Sequence, residues 1–209
     1  MRGPFVSGAF VAALLNPIPS LEAQSPDHAW FGAMDTLPPG IHVIEVDSTY
    51  AVHGESALDV LESLRQDAPE RDGARRPGYH EWRFRYRYTA WQASQECHPR
   101  EIVVLARTVT VVPEWDARDR ASPDLAADWD AFLGAIEAHE MGHRAIALAH
   151  LDRVFRSLER TRSERCEGLP DALQRASEGP IRDEMAEQRQ YDQETEHGIR
   201  QGTIWPRRE

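Results

Sequence analysis

Two histidines four positions apart, with a glutamate directly after the first, are the residues of this chain best suited to chemistry: His139-Glu140-Met141-Gly142-His143. On a helix, residues at that spacing lie above one another, so both imidazoles can meet one cation while Glu140 sits beside it. Zinc held this way lowers the pKa of a bound water to about 7, and a neighbouring carboxylate takes the proton as the water attacks a polarised carbonyl. The pattern therefore makes His139 and His143 candidate ligands of Zn2+ and Glu140 a candidate general base. Gly142 stands inside the motif although an interior helical glycine costs about 1 kcal/mol relative to alanine. It reads equally as a tolerated residue and as a place where another group comes close.

The motif needs a helix. Ser122-Pro123 reads as an N-cap followed by proline at the first helical position, and Asp124 adds a negative charge where the helix dipole favours it. Apolar residues then recur at helical spacing from Leu125, Trp129 and Phe132 through Ile136, Ile146 and Leu151 to Phe155 and Leu158. The predicted helix runs from Pro123 to about Arg162, about 60 Å at 1.5 Å per residue. A compact domain of this size has a radius of gyration of about 16 Å, so the helix is expected to bend or end early.

A catalytic zinc site commonly takes three protein ligands, so one is still needed. The positions where an extended motif would continue hold Ile146 and Ala149, which excludes that subclass. His150 lies about 10 Å beyond His143 along the axis and cannot reach the same ion. A second helix, ending around Ala186 to Glu196 and stopped by Gly198, would return to the motif if it packs antiparallel. His197 at its end is the expected third ligand. Asp192 is its competitor, either as a ligand or as an acceptor that orients a histidine, and Glu194 is more readily a solvated helix residue. Tyr191 is placed to donate to a developing oxyanion, or to pack between the helices.

With these residues in view, the chain resembles the bacterial family catalogued as domain of unknown function 922, described as predicted secreted zinc-dependent proteases. The resemblance rests on His139-Glu140-Met141-Gly142-His143, on Tyr191-Asp192 followed by Thr195, His197 and Gly198, and on Arg200-Gln201-Gly202. It continues upstream through Tyr50-Ala51-Val52-His53-Gly54, the aromatic segment near Trp82 and Pro113-Glu114-Trp115. What it implies is a metallopeptidase-like site.

The rest of the chain sets bounds. Its 209 residues suffice for a single domain with a core, and no repeat or linker suggests a second. Arg2, the apolar run Phe5 to Leu15 and a cleavage after Ala23 read as a signal peptide, leaving residues 24–209 as one zinc metallopeptidase-like domain. The apolar run is too short for a membrane span, so no stable membrane insertion is expected once it is removed. Its removal would take one arginine and one acid, Arg2 and Glu22, so the net charge stays at -11. Such an acidic chain repels phosphate backbones and excludes nucleic acid as a general partner. Cys97 and Cys166 both follow the signal and are expected to form a disulfide in an oxidising compartment, closing a loop of about 70 residues.

Strands are expected at Ile41 to Val46, Thr49 to Val52 and Ile102 to Val112, the last ended by Pro113, with a short helix from Gly54 to Arg65. Trp82, Phe84, Tyr86 and Tyr88 alternate with Arg83, Arg85 and Arg87, placing aromatics on one sheet face. Gly179-Pro180 is expected to interrupt or kink the segment between Leu169 and Glu196. The expected fold is α+β and zincin-like: a small N-terminal sheet packed on a long motif-bearing helix and a C-terminal helix. The expected function is a secreted or periplasmic zinc metallopeptidase acting on a peptide or protein substrate. A cell-wall amidase and a secreted binding module with a structural metal are the alternatives, the latter opposed by an intact Glu140.

Overall fold

Val-, Thr- and aromatic-rich segments form the three strands of one sheet: β1 (Ile41–Val52), β4 (Tyr79–Ala93) and β5 (Glu96–Trp115), in the order β1-β5-β4. The computed structural model describes residues 37–71 and 73–206, so the expected signal peptide and its cleavage site lie outside the described residues. Val104 donates to the Gly40 carbonyl and Asp116 to the Val52 carbonyl, at 2.8 and 3.1 Å, so β1 and β5 run parallel in constant register. β4 and β5 are joined through Ser94-Gln95 and run antiparallel, with Thr89 facing Arg100 and His80 facing Thr110. A two-stranded hairpin, β2 (Glu70–Arg71) and β3 (Ala74–Arg75), precedes β4. The described residues also form three α-helices: α1 (Ala57–Asp67), α2 (Pro123–Arg160) and α3 (Leu169–Thr195). The fold is thus α+β, a small mixed sheet with helices.

Local chemistry explains the boundaries. Ser56 caps α1 by accepting from the Asp59 amide at 3.3 Å while the Asp59 carboxylate accepts from the Ser56 amide at 3.2 Å. Ser122 begins α2 in the expected way, its hydroxyl accepting from the Leu125 amide at 3.4 Å. The two short strands expected before α1 are one 12-residue strand, because Asp47 and Ser48 stay extended between them. β5 runs past Pro113 to Trp115, where Asp116 returns to β1. In β4 the arginines at 83, 85 and 87 are exposed and the alternating aromatics half-buried, as the period-two pattern requires.

The chain forms two compact units, each drawn from three separate segments. The unit made of Glu45–Trp82, Thr108–Ala147 and Glu184 onward has an aromatic core. Trp129 lies 5.5 Å from both Trp115 and Trp205 and 5.6 Å from Phe132, ring centre to ring centre. Both partner indoles keep a hydrogen bond: Trp115 donates to the Gly54 carbonyl at 2.8 Å and Trp205 to the Ala57 carbonyl at 3.0 Å. Arg144, buried just after the motif, donates from Nε to Glu45 of β1 at 3.0 Å and thereby ties α2 to the sheet.

The other unit comprises the described residues up to Ile44, Arg83–Arg107 and Leu148–Asp183. Leu151, Val154, Leu158, Leu169 and Leu173 are buried in it. Cys97 and Cys166 form the expected disulfide with Cα atoms 5.1 Å apart, and Cys97 also exchanges two backbone hydrogen bonds with Ser163.

Two expectations change. Of the bend or early end expected of α2, the early end does not occur: all 38 residues are helical, and its residues belong to both units. Pro180 does not interrupt α3. A proline lacks the amide that would bond the carbonyl four residues earlier, here Ala176. That carbonyl instead accepts from the Ser157 hydroxyl of α2 at 2.7 Å, while the Pro180 carbonyl accepts from His150 Nδ1 at 3.0 Å. The backbone groups are satisfied from outside the helix, so it continues.

Because the disulfide spans 69 positions, replacing both cysteines by serine is expected to lower unfolding stability by about 4 kcal/mol in urea titrations. A loss below about 1 kcal/mol would show that the cross-link adds little to what Cys97 and Ser163 already hold.

Candidate metal centre

The motif lies mid-helix in α2, where the i, i+4 spacing points both imidazoles the same way. His139 and Glu140 are buried, at 6% and 4% exposure. α3 runs past them and supplies Gln188, Tyr191 and Asp192, all in the same unit. The chain after α3 then turns sharply: Glu196, His197 and Gly198 have φ of 51°, 54° and 84°. Two non-glycine residues in the left-handed region are a local strain of the kind that persists where surrounding contacts over-determine the backbone. Here the His197 amide bonds the Asp192 carbonyl at 2.7 Å and the Gly198 amide bonds Thr195 Oγ1 at 3.2 Å. The turn brings Gly198 so close to His139 that a Cβ would sit 3.1 Å from the ring, and it delivers Gln201 to the motif.

His139, His143 and Asp192 converge. The two Nε2 atoms are 3.2 Å apart, and Asp192 Oδ1 lies 3.0 Å from His143 Nε2 and 3.3 Å from His139 Nε2. The opposite ring nitrogens face carboxamide oxygens: His139 Nδ1 donates to Gln201 at 2.9 Å, and His143 Nδ1 donates to Gln188. Gln188 has its orientation dictated, since its Nε2 donates to the His143 carbonyl at 3.0 Å and to Glu184 at 2.8 Å. With the Nδ1 protons so engaged, each neutral Nε2 presents a lone pair to the other and to a carboxylate oxygen. Three converging lone pairs are favourable around a cation, and the group could hold a metal ion. A four-coordinate zinc with bonds of about 2.0 to 2.1 Å spaces its ligand atoms about 3.3 Å apart. The three separations are compatible with one metal ion held by two nitrogens and a carboxylate oxygen.

Where a proton takes the place of a cation, the histidines donate to the carboxylate instead. Burial works against the Asp192 carboxylate, but hydrogen bonds from His139 and His143 and the nearby His197 hold its pKa far below the ordinary range. For His143, burial opposes charge while Asp192, Gln188 and Glu140 favour it, and the net pKa is raised. Burial raises the Glu140 pKa, with the two histidines pulling it part of the way back. A carboxylate made more basic beside a cation site is suited to accepting a proton. Glu140 opens onto a cavity of about 610 Å³ whose lining includes Arg76, Gly78, His80, His143 and Asp192. Gly78 passes so near that a Cβ would sit 2.4 Å from Ile136 Cγ2 and 3.1 Å from Glu140 Oε1.

Among the residues expected at the site, His197 stands outside the converging triad. Its side chain is half-exposed, and its Nδ1 faces Asp192 Oδ2 at 3.4 Å and Arg76 at 3.0 Å. The left-handed turn carries its ring past the Asp192 carboxylate, which takes the third corner with its other oxygen. Tyr191 packs on both histidines, stacked on the His139 ring at 5.2 Å and edge-on to His143 at 5.0 Å. Its hydroxyl accepts from Gln201 Nε2 at 3.1 Å, and it does not line the cavity. Glu194 is exposed and pairs with Gln190, and His150 is buried in the other unit. Gln188 and Gln201 were not singled out from sequence. The only available signals were that Gln188 sits one turn before Asp192 and that Gln201 lies in the Arg-Gln-Gly segment.

Gly142 resolves in favour of close approach: a Cβ there would lie 2.2 Å from the Tyr191 hydroxyl and 2.3 Å from Cζ. Gly142→Ala alone is expected to destabilise the fold by displacing Tyr191. In a Tyr191→Ala background the same change should instead stabilise by about 1 kcal/mol through helix propensity. Chemical denaturation of the four variants checks this, and an equal loss in both backgrounds would count against it.

No curated protein and no solved structure matches the chain significantly. A family model does, over residues 47–198, a span that includes the histidine motif, Asp192 and the turn at His197. The chain belongs to the family DUF922, described as bacterial protein of unknown function.

Proposed function

We propose that this chain is a zinc-dependent metallopeptidase of an extracytoplasmic, oxidising compartment, secreted or periplasmic, acting on peptide or protein substrates. The observation that carries the reading is the convergence of His139, His143 and Asp192 on one point beside Glu140, at the wall of an open cavity. In this reading those three residues hold the metal and Glu140 is the general base. Bound there, zinc would supply a Lewis acid for the substrate carbonyl and acidify a coordinated water. Glu140 takes and later returns the proton, its basicity raised by burial. Gln188 and Gln201 keep the imidazoles in the tautomer that leaves Nε2 free.

The arrangement is zincin-like in this reading: the motif helix is tied to a small sheet whose edge strand β4 lines the cavity from Tyr79 to Trp82. An extended peptide can add to such an edge through main-chain hydrogen bonds. The disulfide supports the compartment, since such bonds persist where the surroundings are oxidising. Among the described residues no helix is long and apolar enough to cross a membrane.

Glu140→Gln keeps size and polarity while removing the base, so the variant should retain zinc and lose at least about a hundredfold in turnover of a mixed peptide library. Unchanged turnover would remove Glu140 from the chemistry. A parent that retains zinc yet cleaves no peptide would favour a binding module. For the ligand set, zinc titration should show collapse of affinity in Asp192→Ala and a loss of only about 10-fold in His197→Ala. The reverse order would restore His197 as the third ligand.

A further inference from the structure

We infer that Arg76 forms an anion-binding subsite beside the metal centre, so that the preferred substrate carries a carboxylate near the bond to be cleaved. The inference rests on the metallopeptidase reading for the word substrate, but the anion site itself does not. The chain as a whole is strongly acidic, with a net charge of -11, yet Arg71, Arg75 and Arg76 line one cavity. Two of them have other partners. Arg71 pairs with Glu81 at 3.3 Å and lies 4.0 Å above the Tyr79 ring, and Arg75 donates to the Ala68 carbonyl at 2.6 Å.

Arg76 differs. Among the described residues no carboxylate lies within ion-pair distance of it, and its one side-chain contact is Nη1 to His197 Nδ1 at 3.0 Å. The arginine must donate there, so His197 accepts and holds the guanidinium against the cavity wall. A guanidinium has five N–H donors in a planar fork suited to a carboxylate, and most of this fork is left for a ligand. Pro77 and Gly78 follow directly, and Gly78 passes against Glu140, so the arginine is fixed on the segment that borders the base. Arg76 and Glu140 line the same cavity. An anion gripped by Arg76 therefore sits next to the reacting region. Either a side-chain carboxylate or a peptide C-terminus supplies the same chemistry.

The test uses zinc-loaded Glu140→Gln protein, which does not turn over its ligands, and matched peptides that differ only in Glu against Gln or in a C-terminal acid against its amide. Fluorescence anisotropy should show the acid member of one pair bound at least about tenfold more tightly, and the pair that shows it identifies the source of the carboxylate. Adding Arg76→Gln should abolish the difference while zinc content stays the same, and Arg76→Lys should restore only part of it. Equal binding within both pairs, no binding of any peptide, or a preference that survives Arg76→Gln would overturn the proposal. So would an Arg76→Gln enzyme that loses turnover of neutral peptides as fully as of acidic ones, since the arginine would then act on the reacting carbonyl. If the parent cleaves nothing but the Arg76-dependent preference persists, the peptidase reading fails and the anion site stands.

Discussion

Lone pairs of like character repel, and this chain aims three of them at one point. His139, His143 and Asp192 are held with donor atoms 3.0 to 3.3 Å apart, and the surrounding structure works to keep them there. Each imidazole is fastened at its far nitrogen by a glutamine, stacked or edge-packed by Tyr191, and fixed along its helix by α2. Gly142 and Gly198 are small because Tyr191 at the first, and Thr203 with His139 at the second, occupy the space a side chain would need. The left-handed backbone at Glu196 and His197 is tolerated because it brings the Gln201 segment back to the motif.

Such a site needs a stiff base. The helix that carries His139 and His143 also contributes Trp129 and Phe132 to a buried aromatic cluster with Trp115 and Trp205, and Ile136 belongs both to that core and to the cavity wall. Arg144 pins the helix to β1 directly after His143. Packing and polar contacts therefore act on adjoining turns of α2, and the imidazoles inherit their position from both.

How much of this the sequence discloses depends on the range of the interaction involved. The strands, the Ser122 cap and the shared helix face of His139 and His143 are local properties, and they are readable. The disulfide is readable because only two cysteines exist. Which of Asp192 and His197 reaches the triad depends on two left-handed residues after α3, a conformation for which Glu carries no local signal and His only a weak one. Gln188 and Gln201 acquire meaning only from partners 45 and 62 residues away. Pro180 misleads for a similar reason: the rule that proline breaks a helix assumes that the freed carbonyl finds no other donor, and Ser157 provides one.

That serine has a further consequence. Two helices packed through apolar side chains alone can slide by a turn and find new holes for their knobs. Here α2 and α3 are keyed by chemistry, because a carbonyl that its own helix cannot satisfy accepts only from a hydroxyl opposite it. In the other unit the same helix pair is keyed again, by Gln188 on His143. A missing amide thus acts as a notch: it permits one alignment of the pair and leaves a buried carbonyl unpaired in the others.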